Sequence, residues 1–366
     1  MKICVVTPIY AIAGVPLAQL RFARALASKG HDVDLVIGRV DPQYKLPEVA
    51  GVNLLVLDRP QVRGMLFPLM KYLRAIKPEV VFSAEDHLNA IVLLAAIATR
   101  SKAQISGSSR VTPFDTYSNI PFTKRWVLKQ FMRSLMWRAD ALTCVSKDMV
   151  EQYRRVFDAP PHVYVYNIVD DSHSRLRMQE HVEHEWFNCK DVPVLVAAGR
   201  LAPWKGFADL IRAMKVLSQR RRARLIILGD GPLRSELEAL IVELGLKDVV
   251  SLLGHVENPL KYFARADVFV LSSHVEGLPN VLVEAMMCGC TPVSTDCPTG
   301  PLEVLQNGKY GYLVPMRNPV VMATGIEQAL DRPIQKNLLA EAIRPFEEDS
   351  VLERHFKVLG LTNISA

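Results

Sequence analysis

Two cations stand at 200 and 205 in Gly199-Arg-Leu-Ala-Pro-Trp-Lys-Gly206, directly after the apolar run VLVAA and before the helical pattern FADLIRAMKVL. A strand-to-helix turn of an α/β unit lies at the sheet edge where ligands bind. Two cations there suit a diphosphate. Arg200 offers a planar fork for phosphate oxygens and Lys205 a mobile point charge, and both would stabilise charge on a departing phosphate. Taken singly, each reads as a solvated surface cation; their joint position favours a ligand.

A second constellation runs from Ser272 to Asp296, SSHVEGLPNVLVEAMMCGCTPVSTD, which reads as strand end, turn, helix from about Pro279 and next strand. Glu284 has Asn280, Val281, Met287 and Cys288 as its helical neighbours, so it lies on a largely apolar surface. A carboxylate buried there needs partners, either ligand hydroxyls and amides or an internal ion pair. Glu276 precedes the helix at a strand's carboxyl end; it is read either as a crevice-facing ligand group or as an ordinary turn carboxylate. Gly277 permits close backbone approach, and free amides of Gly277, Leu278 and Asn280, with Pro279 between them, would favour an anion or sugar oxygens at the helix start. Gly229 opens the turn Gly229-Asp-Gly-Pro232 after RLIILG, a weak signal by itself. Gly14, before the helix pattern PLAQLRFARALAS, is equally a structural turn or part of a ligand loop.

These residues need elements to hold them. In the first half the β-branched runs KICVVTP, VDLVIG, VNLLVL, PEVVFS, AQISG, ALTCVS and HVYVY alternate with amphipathic segments. After a polar stretch the pattern restarts with VPVLVAAG, RLIILG, VVSLLG, DVFVLS, TPVST and YGYLVP. Such alternation is the mark of parallel sheets covered by helices. The expectation is two Rossmann-like, doubly wound α/β domains, 1–170 and 192–345, joined by a linker at 171–191 and facing a central cleft. A last helical segment, 346–366, would return to the first domain as a brace. The 366 residues, 49% hydrophobic and 22% charged, suit two soluble domains.

No run of roughly 18 apolar residues would span a bilayer, and MKICVVTPIY is unlike a signal peptide, so a cytoplasmic protein is expected. Cys4, Cys144, Cys189, Cys288, Cys290 and Cys297 sit in apolar stretches without metal-ligand spacing and read as reduced, buried residues. The formal charge of +6 is uneven: residues 1–170 hold 22 Lys and Arg against 14 Asp and Glu, the remainder 22 against 24. A basic first half suits an anionic membrane surface, nucleic acid or an acidic substrate.

The order and spacing of GRLAPWKG (199–206), GDGP (229–232), LLGHV (252–256), ARADVFVLSS (264–273) and EGLPNVLVEAMMCG (276–289) resemble the retaining GT-B glycosyltransferases of family 4. In the first half the resemblance includes the turn at 14–15, ADALTCVSK (139–147) and YNIVD (166–170). It implies a GT-B fold and transfer of a sugar, by default a UDP-linked hexose or N-acetylhexosamine, with retention of configuration. Arg200 and Lys205 would contact the donor diphosphate, Glu284 the ribose hydroxyls, and backbone around His255 and Val256 the base. Glu276 would hold hydroxyls of the transferred sugar. Two departures concern the first-domain turn: Ala13-Gly14 stands where relatives often have two glycines, and YNIVD where they often have YNPVD. Arg110, after AQISGSS, is the nearest candidate for a sugar or acceptor contact. His87, in EDHLN, is similarly placed, although a hydrogen-bonded structural histidine is the favoured reading.

The resemblance further implies that the leaving phosphate deprotonates the acceptor, with no protein nucleophile and no metal or other cofactor. Asp32-Val-Asp34, a DxD, is discounted because it begins a strand and so sits at the sheet's amino edge. Phe122 to Arg138, FTKRWVLKQFMRSLMWR, carries five basic and no acidic residues. Arg125, Lys129 and Arg133 form one stripe flanked by Trp126 and Trp137, with Leu128, Phe131 and Leu135 on another, a mixture suited to anionic lipid head groups. The competing reading is a helix packed by its apolar side with its basic side solvated. QRRRAR at 219–224 reads as a solvated loop. A glycan or lipid-linked acceptor and peripheral contact with the inner face of a membrane are therefore expected, nucleic acid is not, and oligomeric state is unspecified. Alternatives are a nucleotide-sugar epimerase and a non-catalytic nucleotide-sugar binder. A nicotinamide dehydrogenase is disfavoured, since Pro8 to Val15 lacks GxGxxG.

Overall fold

A computed structural model describes residues 1–11, 14–157, 162–188 and 191–362. Ala13, Cys189 and the last four residues of the 346–366 segment lie outside them. The chain divides into two compact units, Met1–Ile168 with Phe346–Ala366, and Val169–Pro345.

The first unit holds β1 (Lys2–Tyr10), β2 (Asp32–Val40), β3 (Val52–Val56), β4 (Val80–Ala84), β5 (Gln104–Ser109), β6 (Ala141–Cys144) and β7 (Val163–Tyr164). All pair in parallel, in the order β3-β2-β1-β4-β5-β6-β7. Its helices are α1 (Gly14–Ser28), α2 (Leu66–Ile76), α3 (Asp86–Thr99), α4 (Pro113–Thr116), α5 (Lys124–Leu135), α6 (Lys147–Val156) and a C-terminal helix, Glu348–Val358. Parallel strands need helical crossovers, which cover both sheet faces and bury central strands whole. All five residues of β4 are accordingly buried. The C-terminal helix buries Val351, Leu352 and Phe356 in the same core as α1 and β1. Each such side chain contributes about 1.5–3 kcal/mol.

The second unit holds α7 (Ser172–Arg177), α8 (Glu185–Asn188), β8 (Val194–Ala198), α9 (Phe207–Ser218), β9 (Arg224–Leu228), α10 (Arg234–Glu243), β10 (Val250–Gly254) and α11 (Leu260–Phe263). It continues with β11 (Val268–Leu271), α12 (Asn280–Met287), β12 (Thr291–Thr295), α13 (Pro301–Val304), β13 (Tyr312–Val314), α14 (Pro319–Asp331) and α15 (Lys336–Ile343). Its six strands run parallel in the order β10-β9-β8-β11-β12-β13.

The stretch expected as a linker, 171–191, is not irregular throughout: it carries α7 and α8 and belongs to the second unit. Trp186 anchors it, buried beneath the Arg224 guanidinium at 5.3 Å, and Asn258 Nδ2 donates to Arg177 O at 2.8 Å. The arginines of 219–224 are not simply solvated. Arg220 pairs with Glu327 at 2.8 Å, Arg221 with Asp331 at 2.7 Å, and Arg224 with Asp191 at 2.9 Å. These acidic partners lie on other elements, beyond the reach of a local sequence pattern.

Candidate functional site

In the second sheet the winding direction reverses between β8 and β11, and ligands of doubly wound folds bind at the carboxyl ends of such a pair. The loops leaving those strands carry Lys205 and Glu276. After β8 the chain exposes Arg200, buries Leu201 and Ala202, and makes a single 3-10 turn over Pro203–Lys205. Gly206 then takes φ 64°, and a Cβ there would meet Ser272 O at 2.0 Å. The two loops therefore approach backbone to backbone, which only glycine allows.

Ser272 Oγ donates to Lys205 O at 2.8 Å, and His274 N to Trp204 O at 2.7 Å. Lys205 Nζ donates to Glu276 Oε1 at 2.5 Å, and Ser273 Oγ donates to the same oxygen at 2.6 Å. Thr299 Oγ1 donates to Glu276 O and Gly277 O at 2.9 and 2.6 Å, and His274 Nε2 lies 2.8 Å from Asp209 Oδ2. The lysine and glutamate side chains are 17% and 11% exposed, so this is a mostly desolvated, hydrogen-bonded pair. Neither local reading of the two residues anticipated it: Lys205 is not a free point charge and Glu276 is not an ordinary turn carboxylate. Arg200 has no hydrogen-bond or ion-pair partner among the described residues. Ser273, Thr299, Asp209 and His274 escaped sequence reasoning because their role is to fix loops, which leaves no spacing signal.

Helix α12 begins at Asn280, with Pro279 as its flanking cap residue rather than its first helical one. The Asn280 amide is already used, donating to Leu278 O at 2.9 Å, and the Glu276 amide donates to Pro298 O at 2.8 Å. Among the described residues the amides of Gly277 and Leu278 remain unengaged, so the helix start offers fewer donors than its sequence suggested. Glu284 is partly rather than fully buried, because the helix turns it toward the rim of the apolar face. His255 is exposed and Val256 half-buried just past β10. Gly229 has a packing role, since a Cβ there would meet Gly199 O at 2.0 Å. The loops after β8 and β9 are further joined by Leu201 N to Asp230 O at 2.9 Å. Burial pushes the Cys288 and Cys297 thiols up to about 12, so both stay protonated; the five described cysteines are all free and buried.

In the first sheet the reversal falls between β1 and β4. Gly14 begins α1 there, with nothing within 4 Å of a Cβ built on it. His87 is exposed at the start of α3 and makes no hydrogen bond among the described residues, which overturns the favoured reading of a hydrogen-bonded structural histidine. The neighbouring Asp86 takes that part: it is buried, accepting from Tyr153 Oη at 2.6 Å and Ser109 Oγ at 2.7 Å. Arg110 lines a small chamber whose polar members are Gln19, Ser83, Ser106, Ser108, Asn167 and His355 and whose apolar wall includes Phe22, Phe82 and Ile168, and its buried Nε has no partner among the described residues. Burial pulls its pKa down to about 10, with the nearby Glu85 carboxylate opposing the change. The chamber leaves about 20 Å³ for a water's centre, where one ordered water needs about 10–15 Å³. Sequence reasoning missed His355, which reaches this place from the far end of the chain.

Asp32 and Asp34 are engaged at the sheet's amino edge: Lys2 Nζ bonds both, at 2.9 and 2.7 Å, and Tyr72 Oη donates to Asp34 Oδ2 at 2.6 Å. The basic helix is α5. It buries Met132 and Leu135, leaves Leu128 and Trp126 half-buried, and leaves Phe131 at the edge of exposure. Arg125 donates to Phe114 O, and Lys129 Nζ to Asn119 Oδ1 at 2.7 Å. Phe122 and Trp137 at its two ends are 91% and 70% exposed. Among the described residues no helix is long and apolar enough to cross a membrane.

Two family models match: Glycosyl transferase 4-like domain over residues 13–167 and Glycosyl transferases group 1 over 179–345. The chain belongs to the family 4 glycosyltransferases. The N-acetylgalactosamine-N,N'-diacetylbacillosaminyl-diphospho-undecaprenol 4-alpha-N-acetylgalactosaminyltransferase of Campylobacter jejuni is 29% identical over 363 residues, covering 94% of this glycosyltransferase and 93% of that enzyme. An uncharacterized glycosyltransferase of Methanocaldococcus jannaschii is 29% identical over 317 residues, 79% of this chain and 76% of that one. Among solved structures, Anabaena HepE in complex with UDP-glucose superposes with a TM-score of 0.77 at 19% identity, over 98% of this chain and 99% of that. A sucrose-phosphate synthase from Thermosynechococcus elongatus gives 0.76 at 18%, over 98% of each. The glycosyltransferase thus has the GT-B type of fold, with two Rossmann-like parallel-sheet units.

Proposed function

We propose that the enzyme moves a hexose or N-acetylhexosamine from a UDP-sugar to a lipid-linked glycan or growing polysaccharide, with retention of configuration. The observation that carries this reading is the Lys205–Glu276 pair at the reversal point of the second sheet. In the structure the two charges satisfy each other. A donor diphosphate would draw Lys205 to its oxygens, and sugar hydroxyls would then donate to Glu276, so both charges stay compensated throughout. Arg200, exposed on the same loop as Lys205, takes a phosphate oxygen. Glu284 accepts from the ribose hydroxyls, backbone at His255 and Val256 meets the base, and the amides of Gly277 and Leu278 meet sugar oxygens. HepE, an 19%-identical neighbour crystallised with UDP and UDP-glucose, supports a UDP-linked donor.

In the chemical step the bond from the anomeric carbon to the leaving phosphate oxygen breaks, and a bond to the acceptor oxygen forms on the same face. The acceptor proton passes to the departing phosphate. Lys205 and Arg200 lower the barrier by stabilising charge that grows as that bond lengthens, an effect worth about 2.7–4 kcal/mol per well-placed donor. The step uses no metal; Asp32 and Asp34, occupied by Lys2 and Tyr72, support that reading. His87 and Arg110 contribute to the acceptor side. The diphospho-undecaprenol acceptor named for the C. jejuni relative supports a lipid-linked acceptor. The exposed Phe122 and Trp137 around the basic α5 support peripheral contact with the inner face of a membrane.

The test is incubation of the protein with labelled UDP-sugars and membrane extract, with and without EDTA. Label should enter the lipid or polysaccharide fraction at the same rate in both. An epimerised sugar nucleotide with no labelled acceptor would overturn the reading, and a rate abolished by EDTA would overturn its metal-free step.

A further inference from the structure

An open groove of about 780 Å³ lies on the first unit, within the roughly 300–1,000 Å³ typical of ligand pockets. Its apolar wall is Val111, Val127, Leu128 and Phe131, with Val111 and Val127 51% and 54% exposed. A contiguous apolar wall rimmed by charge is a kind of surface at which soluble proteins bind ligands or partners. Its polar members are concentrated in charge: Arg63, Lys124 and Arg125 against the single carboxylate Asp115, with His87 beside them. All of these are exposed, and none of the three cations is ion-paired among the described residues. His87 and Val111 follow the carboxyl ends of β4 and β5, so the groove reaches the sheet edge at which doubly wound units bind ligands.

A pure phosphate site would not need an aliphatic and aromatic wall, and a pure hydrocarbon site would not gather three cations that have no carboxylate partner among the described residues. We propose that this groove binds the lipid end of the acceptor, an isoprenoid diphosphate. The first isoprene units lie along Val127, Leu128 and Phe131, and the diphosphate lies against Arg63, Lys124 and Arg125. The attached sugar then projects to the carboxyl edge of the first sheet. The assignment deepens the proposed function, since it rests on a lipid-linked acceptor.

The probe is farnesyl diphosphate, titrated calorimetrically into the full chain without donor, beside inorganic diphosphate and farnesol. Farnesyl diphosphate should bind at least about tenfold more tightly than either, a difference of about 1.4 kcal/mol. The double variant Val127→Asp/Phe131→Asp should bring its affinity down to that of inorganic diphosphate. Arg63→Ala/Lys124→Ala should weaken both diphosphates. These side chains are on the surface, so unchanged thermal unfolding will show that each variant folds. Equal affinity for farnesyl and inorganic diphosphate would overturn the proposal, as would variants that bind normally. So would variants that keep farnesyl diphosphate while losing phosphatidylglycerol vesicles, which would assign the wall to the membrane itself. Because no donor is present, a failed assay of UDP-sugar transfer leaves this result readable, and the reverse also holds.

Discussion

Replacing Lys205 with alanine perturbs two things whose sizes follow from one geometry. Lys205 compensates Glu276 across 2.5 Å, with side chains 17% and 11% exposed. Removing one partner of a fully buried pair costs about 3–5 kcal/mol, and an exposed pair is worth at most about 1. A pair open to solvent over roughly a sixth of its surface belongs nearer the buried limit, so the expected loss is about 2–3 kcal/mol. Among the described residues Glu276 would keep only Ser273 Oγ as a side-chain partner. For a unit of this size each kcal/mol moves Tm by about 2–4 °C, which makes a fall of about 7–8 °C a central expectation. The cost should be smaller for Glu276→Gln, because an uncompensated lysine can swing its flexible stem into water whereas Glu276 is pinned by its loop. Turnover should fall in Lys205→Ala by about 10²–10³, the loss typical of a donor that stabilises a developing oxyanion. Stabilisation by added UDP-sugar should also shrink. Differential scanning calorimetry and single-turnover transfer read both effects. A Lys205→Ala variant with wild-type turnover and unchanged Tm would refute the reasoning at its root.

Gly206→Ala should destabilise the second unit by at least about 1–2 kcal/mol from its left-handed backbone alone, and a Cβ 2.0 Å from Ser272 O must also push the two site loops apart. Donor affinity measured by calorimetry should therefore drop along with Tm; a fully active variant would show that the loops need not touch. Burial lowers His355 to about 3, with Arg110 adding to it, and lowers His162 to about 4, against about 6.5 unfolded. Both are neutral in the native first unit. Stability is then complete above about pH 6.5 and declines as pH falls toward 4, by about 1.4 kcal/mol per pH unit for each histidine. His355→Phe should flatten that slope in thermal melts across pH 4–7, and an unchanged slope would contradict its neutral burial. Phe122→Ser/Trp137→Ser should release the protein from phosphatidylglycerol vesicles in a sedimentation assay while leaving Tm unchanged, since both side chains are 91% and 70% exposed; undiminished sedimentation would refute membrane contact through this helix.

The strands were legible in the sequence because period and composition report local burial: all thirteen β-branched runs became strands of two parallel sheets. The Lys205 and Glu276 loops were legible for a related reason, since a short turn after a strand and before a helix must lie at the carboxyl edge. What the local pattern could not give was who faces whom. That Lys205 and Glu276, 71 residues apart, neutralise each other depends on β8 and β11 being neighbours, which the order of strands along the chain does not specify. Glu284 looked buried from its helical neighbours, yet its rim position follows from how α12 is rotated against its sheet. The structural part expected of His87 falls to its neighbour Asp86, because the inward direction at the start of α3 is set by Tyr153 and Ser109 from other elements. The sequence by itself determined the alternation, the turns and the charges they carry. Only tertiary structure decided which charges meet, because pairing depends on distances between elements that local periodicity never encodes.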